Sequence, residues 1–291
     1  MSLAPRVVLV HRRTEYAELL ARHGTRGQTE FFLASRGRNV AELVEREERM
    51  RAAITEVSAA IPLDWRRGSV ERADLSRFLF APEDIVVVVG QDGLVANVAK
   101  YLSGQPVIGI DPEPGRNSGV LVTHPPSAAG ELLRSRGTRQ LTMVEIDADD
   151  GQRLLALNEI YLGNATHQTS RYTLRAGEVA GERQASSGIL VGTGTGASGW
   201  CRSVWQERNS RLTLPAPEER RLLWFVREAW PSPGTGTANT EGELAGAPLT
   251  IEVESDQLVA FGDGIESDAI HLGWGQRLTI GLAEQTLSLM R

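Results

Sequence analysis

Three short runs in the first half of the chain are apolar without alternation: "RVVLV" from Arg6 to Val10, "DIVVVV" from Asp84 to Val89, and "VIGI" from Val107 to Ile110. Continuous Val/Ile runs of this kind predict strands of a parallel sheet covered on both faces. Between the first two, Val40, Leu43, Val44, Met50, Ile54, Val57 and Ile61 recur at helical spacing around a charged face, which predicts one long helix. A further helix is predicted from about Ala128 to Arg136. Strand, helix and strand in that order form an α/β unit.

Near Leu141 the pattern changes. "LTMVEIDADDGQRLLALNEIYLG" reads as two strands around an Asp-Asp-Gly turn. Short strands follow at "SRYTLRA", "SSGILVG", "LTIEVE" and "QLVAFGDG". One helix is predicted after Gly196, with Ala197, Trp200, Cys201, Val204 and Trp205 on one face. "WPSPGTGTANTEG", from Trp230 to Gly242, has no period and is rich in Pro, Gly and Thr, so it reads as a surface loop. The expected fold is an α/β N-terminal domain with a parallel sheet, residues 1–140, plus a β-rich C-terminal domain, residues 141–291, whose last residues pack back on the first.

Composition narrows the function. The 291 residues are 41% hydrophobic, enough for one large or two modest cores. Lys and Arg total 31 against 37 Asp and Glu, a formal charge of -6, so no global basic field points to nucleic acid or an anionic membrane. No apolar run approaches a membrane span, and the first strand begins at Arg6, leaving no room for a leader. A single cysteine, Cys201, excludes an internal disulfide and fits a cytoplasmic location. The histidines show no metal-ligand spacing, and no protein metal site is expected.

Three stretches carry candidate chemistry. In "VVVVGQDG" the chain passes from a buried strand through Gly90, Gln91, Asp92 and Gly93 into a helix starting near Leu94. Such a turn exposes backbone N–H groups at a positive helix end, an anion site. Asp92 there either caps the helix or removes a proton from a hydroxyl beside a bound phosphate. In "ALNEIYLG", Asn158 and Glu159 interrupt an apolar strand; either they are internally paired and edge-solvated, or they await a ligand. In "SSGILVGTGTGASGW", Gly194 to Gly199 matches G-x-G-x-x-G, but it lacks a βαβ frame, and Glu218 and Glu219 follow a Pro-Ala-Pro segment rather than a second parallel strand. A Rossmann site is rejected. What remains is a loop of small residues open to close backbone approach beside the flat wall of Trp200, or a purely structural turn.

In this order the stretches resemble the NAD kinase family, closest to its mitochondrial-type branch. "VVVVGQDG" is similar to that family's strand plus GGDG, "PVIGIDPEPGRNSGVL" to its P-V-I-G-V-N segment, "ALNEIYLG" to its asparagine-glutamate motif, and "SSGILVGTGTGASGW" to the branch's T-G-T-G-S-x-A-W. "LLWFVREA" and the "FGDG" turn extend the likeness towards the C-terminus. The resemblance implies a kinase using ATP, with Mg²⁺ carried on its phosphates, to phosphorylate the adenosine-ribose 2′-hydroxyl of NAD at a site between the two domains. It implies Asp92 as general base, with Gly90, Gln91 and Gly93 holding phosphates. Asn158 and Glu159 would bind adenosine, and Thr193, Gly194, Thr195, Gly196, Ser198, Gly199, Trp200 and Ser203 would line the dinucleotide pocket. Partners would be small-molecule nucleotides, without nucleic acid or membrane, in a homo-oligomer, with a dimer favoured. Gln91, Leu94 and Asp111 depart from the family's glycine, threonine and asparagine; Ser187 matches the mitochondrial-type branch. The competing classes are a catalytically silent NAD(P)-binding regulator, consistent with Gln91 and Leu94, and a lipid kinase related through GGDG.

Overall fold

The computed structural model describes residues 4–116, 119–177 and 180–291. Asn117 and Ser118, part of the "GRNSGVL" segment, lie outside them. The chain divides into two compact units, one of residues 1–139 with 288–291 and the other of residues 140–287.

In the first unit the three apolar runs form strands as expected: β1 (Arg6–His11), β3 (Asp84–Val89) and β4 (Val107–Ile110), joined by the unforeseen β2 (Arg66–Glu71). They lie parallel in the order β2-β1-β3-β4, and Leu289 pairs beside Val107 on the far side of β4. Val86 through Val89 are all fully buried, which is why this stretch shows no alternation. Helix α3 (Val40–Ala60) lays Ala53 and Val57 on one face of this sheet against Val7, Val87 and Ile108. Two helices not read from the pattern precede it, α1 (Glu15–His23) and α2 (Arg26–Ala34), each started by a threonine whose hydroxyl accepts a first-turn N–H. Helix α4 (Asp92–Ala99) follows β3 directly. The helix expected near 128–136 is shorter: a turn of 3₁₀ helix at Pro126–Ala128 leads into α5 (Ala129–Leu132). Its end tightens where the Ser135 N–H is shared between the Glu131 and Leu132 carbonyls.

The second unit is β-rich. Its strands are β5 (Thr138–Ala148), β6 (Arg153–Ala156), β7 (Glu159–Asn164), β8 (Ser170–Ala176), β9 (Glu182–Ser186) and β10 (Gly188–Gly192). Helix α6 (Trp200–Glu207) comes next, followed by β11 (Leu222–Arg227), β12 (Glu241–Leu244), β13 (Leu249–Val253), β14 (Leu258–Gly262), β15 (Ile265–Leu272) and β16 (Arg277–Met290). The "LTMVEIDADDGQRLLALNEIYLG" segment therefore holds three strands rather than two, because the chain bends at Leu157 and Asn158.

One antiparallel sheet runs β12-β11-β10-β7-β14-β15, and β16, β13, β8 and β9 follow one another in the other. Ile160, Leu162, Ile189, Val191 and Val226 on one face of the first sheet join Leu174, Ile251 and Ile280 in the larger core. The opposite face carries Leu190, Leu223 and Phe225 and is covered by Cys201 and Val204 of α6. Residues of β7 alternate between the two faces, so Glu159 and Tyr161 point to the α6 side. The fold is an α/β domain with a mostly parallel sheet and a β-rich C-terminal region.

Candidate functional site

In the first unit, the turn after β3 places Gln91 as the N-cap of α4 and Asp92 as its first residue, two positions earlier than the expected start. Gln91 adopts φ -111 and ψ 164, ordinary extended backbone, and its side chain makes no cap bond. Position 91 therefore does not need a glycine conformation. The Gly90 N–H donates to the Ile110 carbonyl at 3.0 Å, tying the turn to β4, while Gly93 is exposed. Buried Asp111, at the end of β4, accepts the Glu113 N–H at 2.8 Å, holding the next turn.

Asp92 does not cap its helix. Its carboxylate accepts the N–H of Val120 at 2.7 Å on Oδ2 and those of Leu121 and Val122 at 3.0 and 2.9 Å on Oδ1. A carboxylate has about four lone-pair sites, so three are engaged and roughly one remains, on Oδ2. Three consecutive donors fix both the side chain and the 120–122 segment, beside Gly119, where an added Cβ would lie 2.8 Å from Oδ1.

In the second unit, the bend at Leu157–Asn158 is held from two sides. Asp263, at the tip of the β14–β15 turn with φ 54, accepts the Leu157 N–H at 2.9 Å and the Asn158 N–H at 2.7 Å. Thr193 donates its hydroxyl to the Leu157 carbonyl at 2.5 Å and its N–H to the Asn158 carbonyl at 2.9 Å. The backbone groups a continuous strand would pair are thus taken by a side chain and a loop, and the strand breaks there. The Thr193 hydroxyl also accepts the N–H groups of Thr195 and Gly196 at 3.1 and 3.2 Å, curling the small-residue loop over the bend. Gly196 packs so closely that a Cβ would lie 2.2 Å from the Asn158 carbonyl oxygen and 3.1 Å from Glu159 Oε2.

Among the described residues, no hydrogen bond reaches the Asn158 amide or the Glu159 carboxyl, and the buried Thr195 hydroxyl makes none. Glu159 is half-buried, contrary to a solvated edge carboxylate; burial, reinforced by the Asp263 carboxylate, pushes it up to about 8. Beside it the Cys201 thiol is pushed up to about 12, chiefly by burial and further by Glu159, so Cys201 is no nucleophile.

Tyr161, two residues along the same face, donates its hydroxyl to the Ser187 carbonyl at 2.6 Å and stacks on Trp200 with centroids 5.3 Å apart. The Arg227 guanidinium lies 5.5 Å from the Trp200 ring centre. Asn158, Glu159, Thr193, Gly194, Thr195, Gly196 and Trp200 therefore form one cluster. Ser198 and Gly199 are exposed at its end, and Ser198 donates its hydroxyl to the Thr195 carbonyl at 2.8 Å. Ser203 is exposed on α6, with its hydroxyl 3.4 Å from the Gly199 carbonyl. Sequence reasoning missed Asp263 and Tyr161. The Asp-Gly pair of "FGDG" was the available signal for the first, although a turn alone explains such a pair.

No protein-family model matches the chain, and no curated protein matches it in sequence. In structure the chain is similar to an NAD kinase from Archaeoglobus fulgidus in complex with ATP, with a TM-score of 0.59 over 98% of this chain and 93% of that one, at 15% sequence identity. At that identity the likeness is one of fold, and the fold of this chain is the two-domain architecture of that NAD kinase.

Proposed function

We propose that this protein is an NAD kinase, transferring the γ-phosphoryl group of Mg-ATP to the 2′-hydroxyl of the adenosine ribose of NAD, with ADP leaving. The observation that carries the reading is the Asn158–Glu159 bend. Its backbone is tied by Asp263 and Thr193, while its amide and carboxyl have no hydrogen-bond partner among the described residues. Buried or half-buried polar groups left open on a rigid support are what a polar ligand edge satisfies. Asn158 and Glu159 take the adenosine portion, and Trp200, backed by Tyr161, supplies the flat apolar wall. Thr193, Gly194, Thr195, Gly196, Ser198, Gly199 and Ser203 line the remainder.

The Gly90–Gly93 turn at the start of α4 offers backbone N–H groups to phosphate oxygens. Asp92 takes the 2′-hydroxyl proton on the free lone pair of Oδ2 as the oxygen attacks phosphorus. Positioning supplies most of the rate, as phosphoryl transfer generally requires. Exposed, unstrained Gln91 supports a donor role for its amide and weakens the silent-binder alternative, which needs it to obstruct. Trp200 and Ser187 support placement in the mitochondrial-type branch. A cytoplasmic homodimer belongs to the same proposal.

Calorimetry of NAD binding tests the carrying observation. Asn158→Ala should weaken binding at least tenfold, about 1.4 kcal/mol, and leave Tm nearly unchanged, because the amide holds nothing in the protein. Unchanged affinity accompanied by a large fall in Tm would make Asn158 a structural residue.

A further inference from the structure

The half-buried Glu159 carboxyl lies among the β14–β15 turn, α6, its own strand β7 and the loop at Gly196. Asp263 approaches from the β14–β15 turn as a second carboxylate, its two oxygens already accepting N–H groups of Leu157 and Asn158. Cys201 faces it from α6, and Tyr161 shares its face of β7. The loop backbone at Gly196 closes over it, with the Gly196 N–H committed to the Thr193 hydroxyl. None of these groups offers Glu159 a positive charge, and no donor among the described residues reaches it. A carboxylate half-removed from water, beside another anion and without a donor, is in the arrangement that most strongly disfavours the charged form.

We propose that Glu159 works as a neutral carboxylic acid, donating its O–H to a ring nitrogen of the nucleotide base and accepting a base N–H on its carbonyl oxygen. This deepens the reading of the protein as an NAD kinase and rests on it. A neutral acid pairs one donor with one acceptor, which matches the adjacent N7 and N6–H₂ of adenine. An ionised carboxylate presents acceptors only; it would repel the ring nitrogen and suit the two hydroxyls of a ribose instead. Glu159 then selects a base edge rather than a sugar diol, and the base it selects carries an acceptor beside an amino group.

Two measurements on the full chain test this, and each fails separately. The first needs no ligand. Glu159 holds its proton in the folded chain to about pH 8 and in the unfolded chain only to its ordinary 4.5. Folded wild type therefore binds more protons than unfolded over that window, and its stability falls as pH rises through it, levelling above pH 8. Glu159→Gln, permanently neutral, escapes this loss, so its Tm should gain on wild type from pH 5 to 8 and the difference should level off above that. A constant difference would show that Glu159 is ionised at neutral pH and would overturn the proposal while leaving the kinase reading intact.

The second measurement is NAD affinity by calorimetry from pH 6.5 to 9.5. Of the groups facing the carboxyl, the Cys201 thiol and the Tyr161 phenol are both raised by burial, and Glu159 is itself raised into that window. Wild-type affinity should fall about tenfold between pH 7 and 9, following the protonated fraction. Glu159→Gln, which keeps one donor and one acceptor, should bind within about threefold of wild type at pH 7 and show no pH dependence. Affinity that strengthens with pH, or a tenfold loss in Glu159→Gln at pH 7, would assign an ionised carboxylate and overturn the proposal. If neither protein binds NAD at any pH while the Tm gain appears, the functional reading fails and takes the ligand half of the proposal with it.

Discussion

Asp92→Asn is expected to lower kcat by at least ~10²-fold, the scale of a lost general base, with NAD affinity nearly unchanged. The geometry predicts a second, separable effect. Asparagine has one acceptor oxygen where Asp92 uses two. The better orientation keeps an oxygen at Oδ1 for the Leu121 and Val122 N–H groups and turns its NH₂ towards the Val120 N–H. Two donors then face each other, at a cost of about 1–3 kcal/mol. Tm should fall by a few degrees alongside the kinetic defect. Steady-state kinetics with ATP and NAD varied, paired with melts, separate the two roles. A kcat within tenfold of wild type together with the fall in Tm would leave Asp92 as the anchor of the 120–122 segment and remove it from proton transfer.

The second large effect is expected at Gly196. Alanine there sets a rigidly placed methyl group 2.2 Å from the Asn158 backbone carbonyl oxygen, so the bend or the loop has to move. Overpacking of this kind costs about 1–3 kcal/mol. The displaced peptide is the one that carries Asn158 and Glu159, and its carbonyl accepts the Thr193 N–H. NAD binding should therefore weaken at least tenfold, about 1.4 kcal/mol or more. Gly246→Ala serves as the stability control, since a Cβ there meets nothing within 4 Å. If Gly196→Ala binds NAD as wild type does, the loop is not part of the pocket.

Strands β1, β3 and β4 were legible because parallel strands covered on both faces leave unbroken apolar runs, and α3 because it buries a stripe. The helices α1 and α2 were not. Helix α1 has no buried residue and α2 buries only Thr29 and Leu33, and each spans only nine residues, too short a window for a helical period to stand out. Strand β2, "RRGSVE", lies at the edge of the sheet and buries only Val70. Asn158 and Glu159 stood out as a polar pair in an apolar run, and that anomaly was informative. Alternation nevertheless placed them inside a strand, because the residue that breaks the strand, Asp263, lies 105 positions beyond Asn158. Local pattern cannot register a side chain arriving from that distance. Capping was likewise a reasonable local reading of Asp92, and its true partners, Val120 to Val122, begin 28 residues downstream.

Incubating the purified protein with NAD, ATP and Mg²⁺ and identifying the product reads phosphoryl transfer to NAD directly. One ADP should be released per NAD consumed. The product should be a substrate for an NADP-specific dehydrogenase, with a phosphorus resonance of a ribose 2′-monophosphate. Formation should collapse in Asp92→Asn under identical conditions. Tight NAD binding with no phosphorylated product from ATP or from any other donor supplied would rule out the kinase reaction and leave a nucleotide-binding protein without that activity.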